Sequence, residues 1–144
     1  MLRFLLRLVV VWLLWPCMIW AEPADMESQE VKVYKTFADH FIQGRLDAAR
    51  ALAGSETLHT ILNRKEKALA KAGGPRAIDE TIFMIIDQRK LAGGATKIHG
   101  MQIIQYQEPA NDPPVFHRQF VTVRQQEGGW RVEEFMDEEE ECCK

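Results

Sequence analysis

Residues 115–136 read VFHRQFVTVRQQEGGWRVEEFM. Two runs rich in β-branched and aromatic residues, VFHRQFVTVRQ and WRVEEFM, flank the turn EGG, and a glycine turn this short joins strands that run antiparallel. Toward the N-terminus, ETIFMIIDQRK and KIHGMQIIQYQ have the same character, with AGGA and EPANDPP as the breaks. The expectation is a four-stranded antiparallel meander.

What precedes it is helical. SQEVKVYKTFADHFIQG places Tyr34, Phe37, Ala38, Phe41 and Ile42 at helical spacing, with Ser28 as an N-cap and Gly44 as a stop. RLDAARALAG continues the stripe through Leu46, Ala49 and Leu52 to Gly54. Ser55 then caps ETLHTILNRKEKALAKAGG, whose Leu58, Ile61, Leu62 and Leu69 share one face. Helices followed by a meander predict an α+β fold in which N-terminal helices cover one face of the sheet.

Alternation then sorts the strand residues by face. His117 and Gln119 fall with Val115, Val121 and Val123, the apolar side expected to meet the helices, whereas Phe116 and Phe120 fall with Arg118 and Thr122 on the other side. In WRVEEFM, Trp130 and Val132 take the core side, so Phe135 joins Arg131 and Glu133 on the open one. Three phenylalanines on an otherwise solvated face mark Phe116, Phe120 and Phe135 as interface candidates, and a homodimer through that face as the use. Asp87 shares a parity with Phe83 and Ile85. Among the polar groups available to a pocket (Tyr34, His40, Asp87, His99, Tyr106, His117 and Gln119), the candidates are Tyr34, Asp87, His117 and Gln119.

The chain opens with MLRFLLRLVVVWLLWPCMIWAEPAD, in which Arg3 and Arg7 precede an apolar run from Leu8 to Trp20 and Ala21 offers a small residue for cleavage. Thirteen apolar residues fall short of the roughly 20 that span a bilayer, so residues 1–21 read as a secretory signal, with the protein periplasmic or secreted. Residues 22–27 form a polar linker, residues 28–136 one domain, and residues 137–144 an acidic tail. In the tail, like charges repel, and the carboxylates beside Cys142 and Cys143 disfavour the thiolate that metal binding or redox chemistry requires. Two adjacent cysteines cannot staple the fold, because their geometry is far from that of a usual bridge.

Loss of Arg3 and Arg7 takes the formal charge from −3 to −5. A mildly acidic chain without lysine or arginine clusters lacks the footprint of a nucleic-acid binder or of an anionic-membrane binder. No cofactor or metal motif is legible. His59 has Asn63 as its helical neighbour at metal-ligand spacing, AGGP and AGGA stand at the wrong junctions for a phosphate loop, and no serine stands in a GxSxG elbow.

A long aromatic helix with FADHFIQGRLDAARAL, a further helix, and a meander closed by GGWRVEEF together resemble the nuclear-transport-factor-two-like fold of the cystatin-like class. The similarity covers residues 28–136 and lies nearest to the small exported bacterial proteins of that superfamily that have no assigned activity. It implies a curved, cone-like sheet around the helices. Because that fold hosts isomerases, dehydratases and pure binding domains, it assigns no reaction. The favoured expectation is a non-catalytic domain binding a small ligand or a protein partner in the cell envelope. The alternative is an isomerase- or lyase-type enzyme that moves a proton with His117 or Asp87 in the helix–sheet pocket.

Overall fold

Ser28 and Ser55 begin two of the three α-helices among the described residues, as side-chain caps. In the computed structural model, which describes residues 27–140, the Ser28 hydroxyl accepts from the Val31 N–H at 3.4 Å and the Ser55 hydroxyl from that of Leu58 at 3.3 Å. Helix α1 spans Gln29–Ile42, α2 Leu46–Leu52 and α3 Glu56–Ala72. Gly44, at φ +72°, turns the chain out of the α1 end in a conformation that favours glycine. The expected signal segment, residues 1–21, and the pair Cys142 and Cys143 lie outside the described residues, as does all of the linker but Glu27.

Strands β1 (Ile78–Lys90), β2 (Ala95–Tyr106), β3 (Val115–Gln126) and β4 (Gly129–Glu140) form one sheet in the order β1-β2-β3-β4, each antiparallel to its neighbour. The fold is α+β, with the helices on one face of an open meander. Helix α1 lies over β2, β3 and β4 and buries Val31, Tyr34, Phe37, Ala38, Phe41 and Ile42 against Ile98, Ile104, Val121, Val123, Val132 and Phe135. The 3.6-residue period of α1 and the two-residue period of the strands bring these side chains to one seam.

Three register shifts interrupt the sheet, two on β1 and one on β4, and those at Ile86 and Glu133 overturn the faces that alternation suggests. On β4, Thr122 faces Glu134 while Val123 faces Val132, so Glu133 is the extra residue. One extra residue sends every later side chain to the opposite face. Phe135 is therefore a core residue, 6 % exposed, with its ring 5.0 Å from both Phe37 and Phe41, and not the open-face residue that alternation places there. On β1, Ile85 faces Gly100 while Asp87 faces His99, so Ile86 is extra. That shift carries Asp87 away from the side of Phe83 and Ile85, out of the helix–sheet interior, to the open face.

β4 also runs on to Glu140, pairing with β3 as far as Phe116, so residues 137–140 belong to the sheet and not to a tail beginning at 137. The outer edge of β4 is covered where the α2–α3 junction meets it. Ala53 forms a parallel bridge to Val132, the Gly54 N–H donates to the Val132 carbonyl at 2.7 Å, and the Ser55 hydroxyl donates to the Glu133 carbonyl at 2.5 Å. No helix among the described residues is long and apolar enough to cross a membrane.

Candidate functional site

The sheet has two faces, and each collects part of the residue set. On the helix side, β2 and β3 present Gln102, His117 and Gln119 inward, and the bulge on β4 adds Asp137 to them. The amide of Gln119 is the hub. Its oxygen accepts from the Tyr34 hydroxyl at 2.8 Å; its nitrogen donates to Gln102 Oε1 at 3.0 Å and to Asp137 Oδ1 at 2.9 Å. Gln102 passes the chain on to the Thr81 hydroxyl at 3.3 Å. Both carboxylate oxygens of Asp137 stand within 3.2 Å of His117 Nδ1.

Tyr34, Gln102, His117 and Gln119 are buried and Asp137 is partly so, and a buried polar group must find a partner or carry a cost of about 1–3 kcal/mol. A carboxylate oxygen accepts, so the contact with Asp137 is made through a proton on His117 Nδ1. His117 Nε2 has no hydrogen-bond partner among the described residues. Burial, and then the Asp137 charge, pushes the Tyr34 phenol well above its ordinary value, so this hydroxyl stays protonated as a donor. Room for the Tyr34 ring is made by Gly100, where a Cβ would collide with the hydroxyl and the ring.

On the other side no helix among the described residues covers the sheet. Cross-strand rows can be followed from β1 to β4: Ile82, Ile103, Phe116 and Glu140; Met84, Met101, Arg118 and Glu138; Asp87, His99, Phe120 and Met136; Arg89, Lys97, Thr122 and Glu134. Ile82, Met84, Phe120 and Met136 are between 40 % and 56 % exposed, an apolar band that crosses from one edge of the sheet to the other. His99 stacks on Phe120 with ring centroids 4.3 Å apart and planes at 13°. A groove of about 580 Å³ is lined by this stack with Asp87, Arg89, Glu134 and Met136 and also by Thr57, Leu58 and Ile61 of α3. The acidic margin is tied to the face by Arg118 to Glu140 at 2.5 Å, Arg124 to Glu133 at 2.7 Å and Thr122 to Glu134 at 2.7 Å.

Of the four pocket candidates, Tyr34, His117 and Gln119 converge in the interior. Asp87 stands apart from them on the opposite face, with its side chain more than half exposed and Arg89 3.8 Å away. Phe116 and Phe120 are on the open face; Phe135 is in the core. His40 and Tyr106 join neither group. Burial and the neighbouring Arg45 hold His40 below its usual value against the pull of Asp39, and the Arg76 guanidinium covers the Tyr106 ring at 3.8 Å. Sequence reasoning passed over Gln102 and Asp137. The one stands among apolar residues on β2, and the other heads an acidic run that reads as solvated. No three or more His, Cys, Asp or Glu side chains among the described residues gather where a metal ion could be held.

No protein-family model matches the chain, and a search of curated proteins finds none similar to it.

Proposed function

We propose that this is an exported, non-catalytic binding domain of the cell envelope, and that the open sheet face is its docking surface for a protein partner. The observation that carries the reading is the apolar band of Ile82, Met84, Phe120 and Met136, which none of the described residues covers and which runs the width of the sheet between charged margins. Contiguous exposed apolar surface with a polar rim is the usual mark of a protein interface. The band is broader than a small ligand needs. The N-terminal segment with Arg3, Arg7 and Ala21 supports export. The interior network supports the non-catalytic half of the reading, because Tyr34, Gln102 and Gln119 spend their polar atoms on one another.

A photo-crosslinking residue at position 120 of the exported chain is expected to trap a discrete protein product, and the same residue at Lys67 on α3 to trap none. A second copy seated on this face, drawing on Phe116 and Phe120, would appear as a product of twice the chain mass. Equal labelling at the two positions would remove the reading.

One observation favours proton transfer as a second reading. His117 is oriented by Asp137 and its Nε2 has no hydrogen-bond partner among the described residues, the arrangement of a base held by a carboxylate. With Asp87 on the other face, His117 would act without it. A ring-nitrogen NMR titration that is insensitive to every small carbonyl compound added would leave this reading without support.

A further inference from the structure

The two edges of the sheet are finished differently. The β4 edge is blocked by Ala53, Gly54 and Ser55, whereas among the described residues no strand pairs with the outer side of β1. β1 is thirteen residues long, its centre TIFMII has no proline and no charge, and α1 reaches it chiefly through the edge-on contact of Tyr34 with Phe83. Side chains are exposed on both of its faces, Ile82 and Met84 on the open one and Ile85 on the helix side, with Ile86 exposed at the bulge. A long, bare, apolar edge of this kind is a template for another strand.

We infer that β1 pairs antiparallel with β1 of a second copy, across a two-fold axis normal to the sheet at Met84. Charge complementarity within the strand selects this occupant. β1 begins with Asp79 and Glu80 and ends with Arg89 and Lys90, so an antiparallel copy sets acids beside bases at both ends. The bulge at Ile86 keeps the register in phase. Counting it as one extra residue, Glu80 meets Arg89 of the second copy on the open face, Phe83 meets Ile85 on the helix side, and Met84 meets itself on the axis. The contact is isologous and closes at two copies, because each then presents only its blocked β4 edge. It lies on a different surface from the docking face proposed above, and it lays two such faces side by side in one eight-stranded sheet.

Light scattering on the exported chain is expected to give twice the subunit mass. Ile85→Lys, which leaves the open face untouched, should give the single-subunit mass with an unchanged circular dichroism spectrum. Glu80→Arg and Arg89→Glu should each weaken the dimer by about tenfold or more, through like charges facing one another twice per dimer, and the two combined should restore it. Those backbone amides of residues 80–88 that point away from β2 should exchange slowly in the dimer and fast in Ile85→Lys. A monomeric wild-type chain overturns the inference. So does a dimer that Ile85→Lys leaves intact, whether or not the docking face holds it together. If Ile85→Lys fails to fold, the charge exchange decides: a double variant no tighter than the single ones overturns the pairing.

Discussion

Phe135 and Val132 point to the same side of β4 although three positions separate them, and Glu133 between them is the reason. The bulge turns a strand whose second half would bury acids and expose Phe135 into one that buries Phe135 against Phe37 and Phe41 and brings Asp137 in behind it. Two phenylalanines that alternation puts on one face therefore stand on opposite ones. Phe135→Ala should cost about 3–5 kcal/mol, the range for a buried phenylalanine, and Phe120→Glu about 1 kcal/mol or less, mainly its stack on His99. Urea denaturation of the two variants checks the contrast; equal losses would place Phe120 in the core.

Removal of Glu133 alone tests the bulge. A strand shortened by one residue must either expose Phe135 or abandon its pairing beyond residue 134. The expected result is loss of cooperative thermal unfolding, whereas Glu133→Ala, which keeps the count, retains it with a smaller loss from the Arg124 ion pair.

Chain ends separate strand from tail. Ending the chain at Met136 removes Asp137 from both His117 and Gln119 and strips the last four β4 residues, so stability should fall by about 2–4 kcal/mol. A chain ended at Glu140 keeps these contacts and should match the chain that runs to Lys144 within about 0.5 kcal/mol. Equal stability of the two truncated chains would show that the Asp137 contacts contribute nothing.

Tyr34 sets an alkaline limit. Its phenol is held above its ordinary value of 10.0, so the folded state retains a proton that the unfolded state gives up. The contribution is fully present below pH 10 and is lost as pH rises beyond it. Tyr34→Phe should flatten the fall in melting temperature above that pH, leaving the smaller share of Tyr106, and at pH 7 should cost about 1–2 kcal/mol for the Gln119 acceptor left without a donor. An unchanged alkaline slope in Tyr34→Phe would assign it elsewhere.

Gly100→Ala places a methyl where the Tyr34 hydroxyl and ring stand, and should destabilise by about 1–3 kcal/mol through overpacking. Combined with Tyr34→Phe, which removes the nearest atom, the loss should be less than the sum of the single ones, a coupling that a double-mutant cycle measures.

The proposed export rests on residues 1–21 as a cleaved signal. Mass spectrometry of the secreted or periplasmic chain should find Glu22 at the N-terminus, and retention of Met1 would contradict a cleaved signal.

The elements and their order were legible in the chain. The serine caps at 28 and 55, the aromatic period of α1 and the glycine breaks AGGA and EGG are local signals, and local signals suffice for helices, turns and an antiparallel meander. Alternation also aimed His117 and Gln119 inward, because β3 runs without a bulge of its own. What escaped it was decided across strands. A bulge is a mismatch between two partners, here β1 with β2 and β4 with β3, and neither strand carries it in its own composition. Asp87 thus left the interior, Phe135 entered it, and Asp137 became the partner of His117. The partial burial of Asp137 depends on Gln119 and His117 offering it donors, which no reading of DEEEE alone supplies, because a carboxylate leaves water only where tertiary contacts replace it.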